Sequence, residues 1–403
     1  MQSSTGIRRK YRIAVLNTHP IQYFAPLYAF LSRGGELEIT ALYCSDVSLR
    51  GGIDPGFKRE VKWDVDLLSG YRCVFLGDAA RRRIPSGFFS LVCPQVWSEI
   101  VDGDYDALWI HGYNHAVNWV AMFAAKSNGI PVFLRSETHL GLQRPGWKRS
   151  VRDRILQLVY KHVDGFLAIG SGNQRYYESL GIDSSRIFSV PYTVDNERFM
   201  SSAVLNQNER QEVRLKYGLD PKMPVIVYAS KLIARKHPDD LIEAFALLQQ
   251  EGICAGLLFV GTGEMEQALK SRVHASELRN VVFAGFANQS ELPRIFGAAD
   301  VFVLPSENEP WGLIVNEAMC AGIPVVVSEE VGCVEDLLED GVNGLITRAR
   351  DVRSLATALR TLLADEGRRK KMGARSLERI SNWSYEQCRQ GVLRSLELVG
   401  ARP

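Results

Sequence analysis

Short apolar runs alternate with longer stretches of helical periodicity along the whole chain. In the first half the runs fall at residues 12–17, 37–44, 72–76, 107–110, 131–135, 165–169 and 187–190, the lengths expected of buried strands. Between them, residues 115–127 and 148–162 carry helical spacing. In the second of these Val151, Ile155, Leu158, Val159 and His162 fall on one face, which predicts an amphipathic helix. Residues 200–211, MSSAVLNQNERQ, lose the apolar pattern and read as a polar linker. The alternation restarts with runs at 225–229, 256–261, 281–285, 301–304, 324–328 and 344–347, separated by helical stretches at 239–250, 265–273, 291–298, 313–321 and 351–363. Strand–helix alternation of this kind predicts an α/β architecture of parallel sheets covered by helices. Two tandem doubly wound, Rossmann-like domains are expected, at residues 1–199 and 212–380, joined by the linker at 200–211. Residues 381–403 are expected to form a C-terminal helix that packs back on the first domain. Two such sheets leave a cleft between them, and ligands sit at the carboxyl ends of strands facing it.

Composition narrows the function classes. A chain of 403 residues is too long for one comfortable core. With 46% hydrophobic and 23% charged residues and a formal net charge of +2, it does not suggest a nucleic-acid binder, because phosphate contacts need a concentrated basic surface. Cys44, Cys73, Cys93, Cys254, Cys320, Cys333 and Cys388 form no Cys-x-x-Cys pair and stand mostly in apolar contexts, so free thiols in a reducing compartment are expected, with no metal site. The apolar run 13–16 is too short for a signal peptide, and 119–125 is cut by Lys126 and Asn128, well short of a membrane span. A cytoplasmic protein is expected. Peripheral contact with the inner face of a membrane is a second expectation, because Arg149, Arg152, Arg154 and Lys161 surround the polar face of 148–162, and Arg81, Arg82 and Arg83 precede Ile84, Phe88 and Phe89. An ordinary solvated helix packed on the sheet is the alternative.

Chemistry concentrates at residues 301–328, VFVLPSENEPWGLIVNEAMCAGIPVVVS. A strand should end at Pro305, a polar loop should follow, and a helix should open near residues 311–313. The N–H groups of Gly312, Leu313 and Ile314 would then be free at a helix start, where an anionic diphosphate or a sugar hydroxyl is favoured. Glu309 lies just before this helix and Glu317 within it, with seven residues between them. Glu317 sits in the apolar stretch IVNEAMCAG, where burial without a partner is costly. The plainer alternative has Glu309 capping the helix and Glu317 on a solvated face.

The string EPWGLIVNEAMCAGIPVV resembles the Glu-x7-Glu motif of retaining glycosyltransferases of family 4, which have the two-domain GT-B fold. Other segments resemble the family in the same order. SKLIARKH, at 230–237, is similar to the family's basic pair, here Lys231 and Lys236, at the position that grips the donor diphosphate. The first is usually Arg, and Lys lacks the guanidinium fork. Gly261-Thr262-Gly263 resembles the VGxG loop, whose glycines allow close backbone approach to a ligand. Gly285 and Phe286 fall where family backbone lies beside the base. The resemblance covers most of 224–347 and the first half only in outline. SVPYTVDNERF looks like the interdomain segment, with Tyr192-Thr193 in place of Asn-Gly. The family commonly has a Gly-rich loop near its start. Here the string is NTHPIQYFAPLY, which makes His19 and Gln22 the acceptor-side candidates, a strand cap being the alternative for His19. After strand 130–135, Glu137 and His139 fit about equally the position where many members carry a histidine at the sugar's reacting face. His111 and His115 suggest metal spacing but have no third ligand.

The resemblance implies a metal-independent transferase without cofactor. It would move a sugar, with retention, from a UDP- or GDP-sugar to a glycan or lipid-linked acceptor, in cell-envelope or exopolysaccharide synthesis. Catalysis would fall to Glu309, Lys236 and one of Glu137 and His139. Glu309 would hold sugar hydroxyls, Glu317 the ribose, and Lys231, Lys236 and the helix start the diphosphate. Two rival readings remain: a sugar-nucleotide epimerase of the same fold, and a catalytically silent binding protein.

Overall fold

The structure, a computed structural model, describes residues 10–54, 56–77, 87–142 and 146–401, and for 53 and 146–151 the backbone alone. Fifteen strands form three sheets among the described residues. The first large sheet takes β1 (Tyr11–Asn17), β2 (Leu37–Tyr43), β5 (Arg72–Phe75), β6 (Ala107–His111), β7 (Val132–Arg135), β8 (Gly165–Ala168) and β9 (Ile187–Ser189) in the order β5-β2-β1-β6-β7-β8-β9. The second takes β10 (Val225–Ala229), β11 (Gly256–Val260), β12 (Val281–Gly285), β13 (Val301–Leu304), β14 (Val325–Ser328) and β15 (Gly344–Thr347) in the order β12-β11-β10-β13-β14-β15. All pairings in both are parallel. The near-continuous Val/Ile/Leu content of the strands has its cause here: helices cover both faces, so alternation would leave polar groups in the core. In each sheet the order reverses once, between β1 and β6 and between β10 and β13, and these switch points face one another across the cleft. The third sheet is a small antiparallel hairpin, β3 (Gly52–Asp54) with β4 (Arg59–Val61), which belongs to neither large sheet.

The segment expected to be a polar linker is largely helical. Helices Asn196–Ala203 and Gln207–Lys216 cover most of 200–211. Their polarity misled because only Asn196, Phe199, Ala203 and Arg214 of the two helices are buried, and Arg214 is held by Asp300 at 2.6 Å. Side chains start both helices. Asp195 accepts from the Arg198 N–H, and Asn206 with Glu209 forms a reciprocal capping box. A second correction concerns helix Gly146–Tyr160. Leu156 and Tyr160 are buried and Val159 packs on the core, whereas Ile155 and Leu158 are 50% and 63% exposed, so the apolar stripe read from the sequence faces the core only in part.

Several contacts fix the two halves together. The Tyr192 carbonyl accepts from Asn316 Nδ2 and from Trp383 Nε1, each at 3.0 Å, and Trp311 stacks on Trp383 with ring centroids 5.7 Å apart. Asp336 accepts from Ser171 N at 2.9 Å and Ser171 Oγ at 2.6 Å, placing a carboxylate at the start of helix Ser171–Ser179. The last helix, Tyr385–Leu398, lies against β9 and helix Ala25–Arg33 of the first half. It approaches so closely that a Cβ at Gly391 would overlap the Ser189 carbonyl oxygen. Gly→Ala inside a helix ordinarily stabilises by about 1 kcal/mol. Here overpacking should win. Gly391→Ala is expected to destabilise by roughly 1–3 kcal/mol in urea unfolding, and a stabilised variant would mean that the close packing of this helix is wrong.

Candidate functional site

The cleft between the two sheets has a volume of about 420 Å³ and is lined from both halves. At the switch point of the second sheet, the loop after β10 meets the loop after β13. Lys236 lies in a tight turn, Ala234–Lys236, and is buried with its Nζ paired to the Glu309 carboxylate. Arg235 Nη1 donates to the same Glu309 oxygen at 2.9 Å. Burial pulls the Lys236 pKa below that of an ordinary lysine, and the Glu309 charge opposes it. Glu309 does not cap the following helix. That helix, Leu313–Cys320, starts from Gly312 without any side-chain cap, so its first-turn N–H groups are available at the cleft. Gly312 has φ +90°, which strains any other residue, and a Cβ there would also press on Val331 at 2.8 Å.

The second cation, Lys231, reaches across the cleft. Its Nζ donates to Asp54 Oδ1 and Oδ2 at 2.8 and 3.0 Å and lies 4.7 Å from the Phe57 ring centroid. Asp54 ends β3. Burial works against its charge, but Lys231 and the N–H groups of Phe57 and Gly56 outweigh it and hold its pKa below the usual value. Thr262, between Gly261 and Gly263, donates its hydroxyl to the Phe57 carbonyl at 3.0 Å. Phe286 meets the edge of Phe57 at 5.1 Å and lies 6.0 Å from Trp63. Gly261 and Phe286 line the cleft. Gly263 and Gly285 do not, and Gly263 is required instead for close packing on the Leu232 backbone.

From the first half, His19, Gln22, Tyr23, Glu137 and Tyr192 line the opposite wall. Burial lowers the His19 pKa to about 4, against the pull of Asp54, so the ring is neutral at neutral pH; its Nδ1 lies 2.8 Å from Thr18 Oγ1. Glu137 is exposed at the cleft wall, with protein atoms packed around it that displace part of its hydration. That loss of hydration raises its pKa, although Tyr192 donates its hydroxyl at 2.6 Å and Arg135 lies nearby. Of the pair the sequence left open, Glu137 turns into the cleft. His139 does not line it, and its Nε2 lies 3.4 Å from the Glu309 carbonyl oxygen; burial lowers its pKa.

The profile of glycosyl transferases group 1 matches residues 209–379, and that of a glycosyl transferase 4-like domain matches 56–193. A GDP-mannose-dependent alpha-(1-6)-phosphatidylinositol monomannoside mannosyltransferase of Mycolicibacterium smegmatis is 33% identical over 269 residues, 64% of this chain and 68% of that protein. This chain belongs to the group 1, family 4 glycosyl transferases. A D-inositol 3-phosphate glycosyltransferase of Nocardia farcinica is 30% identical over 56% of this chain and 51% of its own length, and the chain spans about half of such relatives. Anabaena HepE, solved in complex with UDP, superposes with TM-score 0.73 at 16% identity, over 96% of this chain and all of that one. A glycosyltransferase from Rickettsia africae gives 0.74 at 15% identity over 97% and 99%. The fold is GT-B.

The second glutamate of this family member departs from expectation. Glu317 is fully buried, neither on a solvated face nor in the cleft wall. Gln289 and Tyr23, which do line the cleft, are its neighbours; Gln289 Nε2 donates to Oε1 at 3.2 Å, and Oε2 lacks a well-formed hydrogen bond. The sequence reading missed Arg235, although it sits inside the quoted SKLIARKH. It also missed Asp54, Tyr23 and Trp63, whose partners lie far along the chain. Among the described residues His237, Asp239 and Asp240 come within metal-ligating reach of one another. His237 Nδ1 lies 3.3 Å from Asp240, and both aspartates occupy the first turn of helix Pro238–Gln250, where the helix dipole favours them.

Burial pushes the Glu317 pKa up to about 7, against the pull of Gln289 and the nearby Tyr23 phenol. A carboxyl raised on folding binds more protons folded than unfolded, so stability is lost as pH rises from the unfolded value, about 4.5, to about 7. Glu317→Gln should remove that loss. The variant is expected to gain on the parent by on the order of 3 kcal/mol between pH 4.5 and 8 in the absence of ligand. Parallel stability–pH curves for the two proteins would show that Glu317 does not titrate in this range.

Proposed function

We propose that this protein transfers a sugar, with retention of anomeric configuration, from a UDP- or GDP-sugar to a glycan or lipid-linked acceptor, and that it does so without a metal. The observation that carries the reading is the buried Lys236–Glu309 pair, joined by Arg235, beside an uncapped helix start. As the bond between sugar and diphosphate breaks, negative charge grows on the departing phosphate. Cations fixed beforehand in a water-poor cleft stabilise that charge without reorganisation. Lys236, Lys231 and the N–H groups of Gly312, Leu313 and Ile314 are the groups proposed for this task. Glu309, held by two cations, would fix sugar hydroxyls. Glu137 is the titratable group facing the reacting side, and its raised pKa suits exchange of a proton or a hydrogen bond with the acceptor or sugar. His139 would position Glu309 from behind. Glu317 would reach the ribose only by way of its cleft-facing neighbours, or after Tyr23 and Gln289 shift. A relative named for GDP-mannose, and a UDP complex of the same fold, support a nucleotide-sugar donor.

Lys236→Ala and Glu309→Gln, each shown folded by circular dichroism, are expected to lower kcat by on the order of 10²-fold at saturating donor, since both interactions tighten in the transition state. EDTA should leave the parental rate unchanged. Near-parental kcat in both variants would move the chemistry elsewhere. A rate abolished by EDTA and restored by a divalent ion would remove the metal-free part.

We further propose that the first domain rests on an anionic membrane while it receives its acceptor. Phe89, Trp97, Phe123, Ile155 and Leu158 are between 45% and 77% exposed, and helices Gln95–Asp102, Ala116–Ser127 and Gly146–Tyr160 pack on the same face of the first sheet. Arg154 and Lys161 are exposed on the same element or just after it. Arg81, Arg82, Arg83 and Ile84 lie outside the described residues. No helix among the described residues is long and apolar enough to cross a membrane. Apolar side chains with basic neighbours suit an interfacial position. In flotation, binding to vesicles of phosphatidylcholine with phosphatidylglycerol is expected to exceed binding to phosphatidylcholine alone severalfold. Equal recovery with both would count against docking.

A further inference from the structure

Both lysines of the cleft are already paired. Lys236 is matched by Glu309 within its own domain, and Glu309 is held in turn by Arg235. Lys231 is matched by Asp54, which comes from the other domain and stands on a two-stranded hairpin outside both large sheets. A diphosphate arriving at this cleft finds both lysines paired, with Arg235 leaving one positive charge over, and a carboxylate at the place it needs. Of the two counter-ions only Asp54 can leave without opening a domain core, because Glu309 is buried in a loop bonded to Glu330 and Gly332.

The hairpin makes further contacts across the cleft. Phe57 accepts from Thr262, and the Lys62 carbonyl accepts from Asn288 Nδ2 at 2.8 Å. Asp64 receives the Ser290 hydroxyl and the Ser290 N–H. It thereby touches the loops that follow β10, β11 and β12, where a nucleotide would lie in a sheet of this order. All of these are polar bonds or aromatic edges at a solvent-accessible surface, and Asp64 and Lys62 are exposed. Contacts of this kind hold weakly and break singly.

We propose that Asp54 is an internal competitor of the donor. In the donor-free protein it occupies Lys231 and straps the hairpin over the nucleotide pocket, and the donor's diphosphate displaces it. The proposal rests on the reading that Lys231 serves the diphosphate. A ligand that must displace a bound group has its apparent affinity reduced by the fraction of protein in the blocked state, so removing the competitor's charge should tighten binding. Phosphate-bearing ligands should gain most, because a nucleoside does not use Lys231 and gains only what a looser hairpin over its pocket gives.

The test is titration calorimetry with UDP, GDP, uridine and guanosine on the parental protein and on Asp54→Asn. Asp54→Asn is expected to bind the preferred nucleoside diphosphate about tenfold more tightly and its nucleoside at most two- to threefold more tightly. Equal tightening of both would show a merely loosened hairpin and overturn the counter-ion role. Unchanged or weaker diphosphate binding would overturn it as well, showing that Asp54 orients Lys231 instead. If the parental protein binds neither diphosphate, the donor reading itself falls and takes the strap with it. Should Asp54→Asn fail to fold, Asp64→Asn decides, since it cuts the outer tether to Ser290 without touching Lys231. It is expected to tighten the diphosphate two- to threefold, and no gain there would overturn the strap.

Discussion

A lysine can be buried as a cation only beside a charge that is buried with it, and Lys236 meets that condition through Glu309. Much of the cleft follows from keeping that glutamate in place. Its N–H donates to the Glu330 carbonyl, its carbonyl accepts from Gly332 N–H, and His139 closes on the same carbonyl from the first domain. Gly332 has to be glycine for this approach, because a Cβ there would overlap the Pro310 carbonyl oxygen. The turn then leads into Gly312 and an uncapped helix. A helix start left uncapped costs stability unless something outside the helix satisfies it, and in this cleft an anion is the chemically matched occupant.

The same short helix also fixes the domains. Asn316, one residue before Glu317, faces the first domain, joining the Tyr192 carbonyl to the Trp311 indole. The string N-E-A-M therefore does two jobs on adjacent positions. Asn316 holds the halves at a pivot, and Glu317 lies buried beside Gln289 and Tyr23. Tyr192 belongs to both arrangements, since its carbonyl sits at the pivot and its hydroxyl orients Glu137 at the cleft. A change in domain angle would thus be felt at Glu137 through one residue.

What the sequence made legible was set by local rules. Parallel strands buried on both faces announce themselves as apolar runs, and the expected strands of both large sheets are present. Glu309, Lys231, Lys236 and Gly312 were legible because they stand in loops at the ends of such strands. The second of the polar helices at 196–216 opens on a capping box, Asn206 with Glu209, a local signal that the reading of 200–211 as a linker did not use. Ile155 and Leu158 misled in the opposite way: they have helical spacing, yet they face outward, because the buried side of that helix is set by Leu156 and Tyr160. Spacing shows that a helix has an apolar stripe and does not show which neighbour covers it.

The contacts the sequence could not give are those joining residues far apart in the chain. Asp54 is separated from Lys231 by 177 positions, and His139 from Glu309 by 170. Nothing local marks Asp54 as different from other acidic turn residues, and the N–H donors it accepts from, Gly56 and Phe57, would explain it fully as a turn former. Only the closed arrangement of the domains makes it the partner of a cleft lysine. That dependence runs both ways. The ion pair exists because the halves are close, and the halves are held close on this side largely by the hairpin that carries it, whereas on the opposite side the tryptophan stack and the last helix hold them through buried contacts. A cleft tied firmly at one edge and by exposed or half-exposed polar bonds at the other opens at the second edge first, which is the edge proposed for the nucleotide.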